Sequence, residues 1–461
     1  MDNQEERRSG GRFLEESILF ISVVKWFVLA SITGAGVGLS TSVFLLALGY
    51  ASDAAGRFHY FFLFLPLGMM LSALVIKDLA PEAEGHGTEK IIEAIHTRAA
   101  RIEPLVAPIK FVATIFTIAL GGAAGKEGPC AQIGGGIASS FSTLLRFDAR
   151  DRRKLVICGI SAGFASVFGT PIAGAIFGVE VLFVGSILYD VLFPSFVAGI
   201  LSYEVSTSLG ITYFERAIPA VPAFSGLYFV EVCIAGIVFG FCSFLLIEVL
   251  KRFEKLSSGL PWGMPVRALI GGGALALASL VLGTRYLGLG LDTIEDALAG
   301  AHVPAAAFFF KIVFTSVTLS FGGSGGIVTP IFFVGATAGS LYAMLTGLDP
   351  QLFSAIGMVS LLAGAANTPI SASIMAAEFF GPQVTPYAAL ACVISYLITG
   401  HRSVYPSQVL AVTKSPTLVI ESGKTMEEIK GAVFNPRSRS VTGKIIALIN
   451  WVERSLKKRE K

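Results

Sequence analysis

Apolar residues fill this chain in long runs from Ser17 to about Gly400. Each run carries about 17 to 30 residues without a charge, enough for a membrane-crossing helix of roughly 20. Between Lys311 and His401 the only acids or bases are Asp349 and Glu378. Several runs exceed one span and are broken internally by glycine and proline, at 121–129, 169–171, 322–330 and 367–369. Broken helices are therefore expected. Irregular backbone at that depth survives only where protein buries it or a cavity wets it.

The pattern is written twice. Setting Lys110 against Lys311 places Val112, Thr114, Thr117, Gly121, Gly122, Gly125, Pro129, Gly134 and Ser139 on Val313, Thr315, Thr318, Gly322, Gly323, Gly326, Pro330, Gly335 and Ser340, at a constant offset of 201. A second block, from Thr170-Pro171-Ile172 to Glu180, matches Thr368-Pro369-Ile370 to Glu378 at offset 198. Duplication in an apolar chain points to a transporter or channel whose site lies between the repeats near mid-bilayer. The copies differ where chemistry is expected: Lys126-Glu127 in the first, Ile327-Val328 in the second.

Composition agrees. The 461 residues are 53% hydrophobic and 15% charged, against roughly 25% charged in soluble proteins. The net charge of +3 matters less than its placement. Arg7, Arg8 and Arg12 precede the first run, and Arg454, Lys457, Lys458, Arg459 and Lys461 crowd the end, so positive-inside bias puts both termini in the cytoplasm. A solvated charge run is the favoured reading of that tail over specific lipid docking. No cleavable signal peptide is apparent. The five cysteines (Cys130, Cys158, Cys233, Cys242 and Cys392) lack metal spacing and read as small core residues. No metal, cofactor or nucleic-acid partner is implied.

Gly125-Lys126-Glu127-Gly128-Pro129 opens a helix. Its proline belongs at a helix start, and its glycines let the backbone approach whatever sits there. A helix N-terminus in low dielectric offers unpaired N–H groups and partial positive charge to an anion. Gly325-Gly326-Ile327-Val328-Thr329-Pro330 repeats the feature without an acid. Gly85-His86-Gly87-Thr88-Glu89 makes a third, with Thr88 as a candidate N-cap before a helix over 89–96. Three such starts facing one cavity would hold an anion loosely enough to release it. Glu127 would then be the protein's own anion, either a gate or a proton carrier. The plainer alternative is an acid that complements a helix dipole, disfavoured because intramembrane acids are costly.

With Lys110 upstream, Ala-Gly-x-x-Ala-x-Phe-x-x-Pro at 162–171, Gly-Gly-Ile-x-x-Pro at 325–330 and Tyr405, the Gly-Lys-Glu-Gly-Pro motif resembles the CLC family of chloride channels and proton-coupled chloride exchangers over about residues 17–410. The resemblance implies an all-α, polytopic membrane protein of two inverted repeats with broken and re-entrant helices. It implies a homodimer with one pore per subunit, chloride or a related anion as ligand, and a prokaryotic inner (plasma) membrane. By the same resemblance Glu127 corresponds to the gating glutamate, and Tyr405 to the tyrosine whose hydroxyl touches the central anion. Gly326, Ile327 and Val328 correspond to the stretch whose N–H groups line the pore. His86, Gly87, Thr88, Gly125, Lys126 and Gly128 complete the expected anion site. The expected organisation is a cytoplasmic segment at 1–16, a transport domain at 17–410 with repeats at about 17–215 and 220–410, and a short basic tail at 411–461 with an amphipathic helix over 441–455. That tail is too short for paired nucleotide-binding regulatory modules.

The chain departs from the family pattern at three places. His86 stands where the family usually has serine; its imidazole either donates to the inner anion path or turns away onto backbone. Val328 replaces the usual phenylalanine near the central site. The acid pair found in many proton-coupled members reads Glu180-Val181 here, with valine at the internal proton-transfer position. That valine favours passive conduction over proton-coupled chloride or fluoride antiport, the alternative, in which Glu180 or a water chain would carry the proton. Its pairing with Glu378 favours reading Glu180 as a structural acid. Lys110 either raises the pore's potential for anions or snorkels to an interface. A hydrolase built on Gly322-Gly323-Ser324-Gly325-Gly326 is a remote reading, because the pattern needs a strand before it and a base beside it. A cation or organic-solute transporter is disfavoured, since cation sites want carbonyls or rings of acids.

Overall fold

The computed structural model describes residues 2–429 except 215, 219, 220 and 224, together with 431, 433, 434 and 443; for residues 2–14, 433 and 434 it describes the backbone alone. The basic C-terminal cluster and nearly all of the expected amphipathic helix lie outside the described residues.

Sixteen α-helices form among the described residues, eight in each half. The first half holds α1 (Asp2–Gly56), α2 (Leu65–Leu79), α3 (Thr88–Thr97), α4 (Val106–Ala119), α5 (Glu127–Leu144), α6 (Ala149–Phe168), α7 (Pro171–Glu180) and α8 (Tyr189–Ser208). The second holds α9 (Gly226–Ser258), α10 (Met264–Leu282), α11 (Leu291–Leu298), α12 (Ala307–Ser320), α13 (Val328–Thr346), α14 (Pro350–Ala366), α15 (Pro369–Phe380) and α16 (Thr385–Thr399). Two short parallel strands, β1 (Phe183–Val184) and β2 (Val409–Leu410), tie the tail to the α7–α8 loop, and β3 (Leu418–Val419) pairs with β4 (Val433–Phe434).

Among the described residues, five helices are long and apolar enough to cross a membrane, including 15–56 of α1 and all of α9. Many others are too short. The 14 residues of α4 and of α12 reach only about 21 Å at 1.5 Å per residue, against a hydrocarbon core of about 30 Å. Both end in glycine turns, with Gly121 at φ 105° and Gly322 at φ 101°, values open to glycine and strained for other residues. The freed backbone is satisfied from the other repeat. Thr318 Oγ1 accepts from Ala123 N–H at 3.0 Å, and Thr117 Oγ1 accepts from Ser324 N–H at 2.9 Å.

The duplication is an inversion in space. Gly125 and Gly326, equivalent in the two copies, form an antiparallel bridge: each N–H donates to the other's carbonyl, at 2.7 and 2.6 Å. Equivalent backbones running oppositely through one point define a pseudo-twofold axis there. Neighbouring helices then pack through glycine, Gly134 against Gly159 and Gly335 against Gly357, so close that an added Cβ would strike a facing carbonyl. Such small-residue contacts replace the hydrophobic driving force that lipid removes.

Candidate functional site

Glu127 is the first residue of α5 and is fully buried. Its carboxylate leaves its own helix and enters the start of the other repeat's equivalent helix. Oε1 accepts from Val328 N–H at 2.5 Å and Oε2 from the Thr329 hydroxyl at 2.7 Å. Gly125 and Gly326 make the room, since a Cβ on either would overlap the carboxylate. A side-chain anion thus occupies the N-terminal cradle of α13, the place a helix start offers to a free anion. Pro129 and Pro330 stand third in their helices, where their missing N–H groups cost nothing.

Sequence reasoning passed over Thr329. The repeat carried a signal: at offset 201 Thr329 falls opposite Gly128, so the copy without an acid offers a hydroxyl next to the acid's counterpart. Of the expected amide donors, Gly326 N–H is engaged by Gly125 and Val328 N–H by Glu127. Ile327, the cap residue of α13, is buried beside them.

The loop before α3 meets this centre from the side. Gly87, at φ 74°, and Gly128 approach backbone to backbone, and a Cβ on either would strike the other segment. Thr88 is not the N-cap that its position suggested. Gly87 holds the cap position at positive φ, which glycine adopts freely and threonine resists; the Thr88 N–H turns back to His86 O at 2.8 Å and its buried hydroxyl faces that of Tyr405. His86 is 7% exposed, Nδ1 makes no hydrogen bond, and its ring lies 6.1 Å from that of Tyr405. Tyr405 is buried; its hydroxyl faces that of Thr88 and lies within electrostatic reach of Glu127 and Glu89.

Two cavities flank the centre. One of about 360 Å³ is lined by Lys126, Thr329, Tyr213 and Phe332. The other, about 840 Å³, is lined by Gly85, His86, Glu89, Gly322 and Gly323, and by Pro406, Ser407, Thr425 and Glu427 of the tail. Thr329, a hydrogen-bond partner of Glu127, lines the first cavity, and His86, whose ring lies 6.1 Å from that of Tyr405, lines the second.

Lys110 and Glu180 make hydrogen bonds that their repeat equivalents, Lys311 and Glu378, match. Lys110 Nζ donates to Ala83 O and Gly85 O at 3.0 and 2.5 Å; Lys311 Nζ donates to Tyr286 O and Gly288 O at 3.2 and 2.8 Å. Each ammonium pins the loop that leads into α3 or α11. Glu180 accepts from Ile370 N–H and Ser371 N–H at 3.0 and 2.8 Å, and Glu378 from Ile172 N–H and Ala173 N–H at 2.9 and 2.8 Å. Each acid caps the opposite repeat's helix. Val181 is buried, its carbonyl sealed by Gln408 Nε2 at 2.8 Å. Ser324 Oγ meets Thr114 Oγ1 at 3.0 Å inside the repeat seam, with no histidine as partner among the described residues.

This fold and this helix-start site define a class of intramembrane anion carriers, and comparison with known proteins fixes the family. The voltage gated chloride channel profile matches residues 68–400, and the chain belongs to that family, whose members move anions and are not enzymes. A chloride/fluoride channel protein of Pseudomonas syringae pv. tomato is 35% identical over 403 residues, covering 86% of this chain and 88% of the relative. A voltage-gated ClC-type chloride channel, ClcB, of Shigella flexneri is 28% identical over 339 residues, covering 69% and 79%. Among solved structures, a CLC-type fluoride/proton antiporter superposes with TM-score 0.81 at 27% identity, covering 85% of this chain and 99% of that one. A slow cyanobacterial Cl−/H+ antiporter superposes with TM-score 0.71 at 19% identity, covering 81% and 94%, a likeness of fold. The balance shifts from passive conduction toward antiport.

Proposed function

We propose that this protein exchanges a small halide for protons, with Glu127 as the shared element: its carboxylate holds the central cradle in turn with the anion, and carries the proton when it leaves. The observation that supports this most is the paired grip of Val328 N–H and the Thr329 hydroxyl on both carboxylate oxygens. An anion arriving there must displace a charged side chain. Protonation neutralises that side chain and weakens its hold on the donors, so anion entry and proton uptake are linked through one seat. Lys126 on one side, and His86, Thr88, Tyr405, Gly87 and Gly128 on the other, form the approaches. Ile327 and Val328 supply the amides that receive the anion once Glu127 swings out.

The superposed fluoride/proton antiporter, at 27% identity, supports exchange over conduction. Fluoride is the first substrate to test, because a small, strongly hydrated anion gains most from hydroxyl and amide donors held ready. Val181 does not argue against exchange if the proton enters elsewhere. Glu180, with both oxygens committed to α15, reads as a cap, and Lys110 as the residue that positions the Gly85–Thr88 loop.

The wide cavity opens to the cytoplasm in this reading. Lys251, Arg252 and Lys255 end α9 near its Glu254 and Ser258 lining, while Arg150, Arg153 and Lys154 line a neighbouring cavity with His96 of α3. A homodimer with one pore per subunit, in the plasma membrane, fits the exposed Ile172, Ile370, Val393 and Leu397 of α7, α15 and α16. The transport domain is taken as 17–410, repeats 17–215 and 220–410, between cytoplasmic ends at 1–16 and 411–461.

Purified protein in liposomes, given fluoride, chloride, bromide, nitrate and then potassium gradients, tests this reading. Halide gradients should drive protons uphill and potassium should not. Halide flux without proton movement would restore the conduction reading.

A further inference from the structure

Two of the four consecutive residues from His86 to Glu89 leave a buried polar atom without a hydrogen-bond partner, His86 Nδ1 and Glu89 Oε2, and between them the Thr88 hydroxyl faces that of Tyr405. Buried polar groups are nearly always satisfied, and exceptions point to chemistry or to water. These three border the wide cavity or the Tyr405 hydroxyl, and about 840 Å³ is ample space for ordered water with several polar partners. Glu89 is held from one side only. Ser407 N–H donates to Oε1 at 2.9 Å and the Ser407 hydroxyl donates to the same oxygen, while Oε2 stays bare.

We propose that Glu89 is the proton-loading carboxylate on the wide-cavity side, passing protons between the vestibule and Glu127 through Thr88, Tyr405 and water. This deepens the exchange reading and rests on it. The Ser407 donors keep Oε1 unprotonated, so an arriving hydronium leaves its proton on Oε2. Oε2 releases it to a water held by Thr88 Oγ1 and the Tyr405 hydroxyl, which passes a proton to the Glu127 carboxylate after it leaves the Val328 amide. One proton moves, one carboxyl is deprotonated and the other protonated, and no other bond changes.

The vestibule's other charged groups do not fill this role. Lys77 of α2, Lys90 of α3 and Arg267 of α10 face Glu84, Glu93, Glu254 and Glu427, with Lys90 bridged to Glu93 at 3.0 Å. Of the acids lining the vestibule, Glu89 alone has a buried unpartnered oxygen among the described residues. The position of the missing internal acid, Val181, is sealed, and Glu180 is tied to α15. The route has moved to a different helix.

The test uses full-length protein in liposomes, with a fluoride gradient and a pH dye. In Glu89→Gln, exchange should slow about tenfold or more, as loss of a positioned acid–base group does. The half-saturating fluoride concentration should change less than about twofold, because the anion seat is untouched. Glu89→Asp should recover most of the rate. Lowering the vestibule-side pH from about 7 to about 5.5 should recover part of it, since more hydronium then protonates the relay water directly. A Glu89→Gln rate within about twofold of wild type would overturn the proposal, as would equal loss in Glu89→Gln and Glu89→Asp with weakened fluoride binding, the mark of a merely structural residue. Should Glu89→Gln not fold, Ser407→Ala decides: a several-fold slowing with an altered pH profile supports the relay, and an unchanged profile contradicts it. Wild-type protein that moves fluoride without protons would instead sink the exchange reading itself.

Discussion

The two repeats share a frame and differ at the centre. Lys110 and Lys311 pin equivalent loops, Glu180 and Glu378 cap each other's helices, and Thr117 and Thr318 each catch the opposite glycine turn, all in symmetric pairs. At the centre the pairing fails: Glu127 sits where the second copy has Val328, and Val328 answers with its backbone N–H. Symmetric residues carry the load common to both halves. Asymmetric ones are free to take on chemistry, because only one copy has to supply it.

Enlarging the seat should produce the largest effect. Gly326→Ala places a methyl against Glu127 Oε1 and Gly128 N, so the carboxylate cannot settle; exchange should fall at least about tenfold, ~1.4 kcal/mol in barrier. Near-normal exchange by this variant would contradict the seat as drawn. A paired test of the lysines comes next. Lys110→Met and Lys311→Met each orphan two carbonyls and should lose similar stability, about 1–3 kcal/mol by thermal unfolding in detergent. Only Lys110→Met should also slow transport several-fold, because its loop carries Gly85 and His86 into the lining of the wide cavity. Equal transport loss in both variants would show that the frame cannot be separated from the centre.

Smaller effects are expected from the caps. Glu180→Gln and Glu378→Gln should each cost about 1–2 kcal/mol of stability and leave the anion-to-proton ratio unchanged. A changed ratio in Glu180→Gln alone would return it to the proton path. Smallest is Ser324→Ala, which loses one seam hydrogen bond worth about 1 kcal/mol and should still transport.

The repeat, the broken helices and the family were legible in the sequence because they are periodic or contiguous. Glu127 stood out as a candidate for a different reason: an acid in an apolar run is costly to keep there. What stayed hidden were partners supplied from far along the chain. Nothing local to Glu180 says that it meets Ile370 and Ser371 across 190 residues, and Thr329 looked like an ordinary helix-start hydroxyl until Glu127 reached it. The lean toward conduction rested on one position, and the comparisons favour antiport over it. Valine at 181 was read as a missing proton acid, although a carboxylate can reach the vestibule from another helix, as Glu89 does against Ser407 of the tail.

The most direct measurement compares wild type with Glu127→Gln in liposomes under an outward fluoride gradient, with the potential clamped and external pH recorded. The account predicts uphill proton uptake by the wild type and none by the variant, whatever fluoride the variant still moves. Protons driven uphill by Glu127→Gln would contradict it.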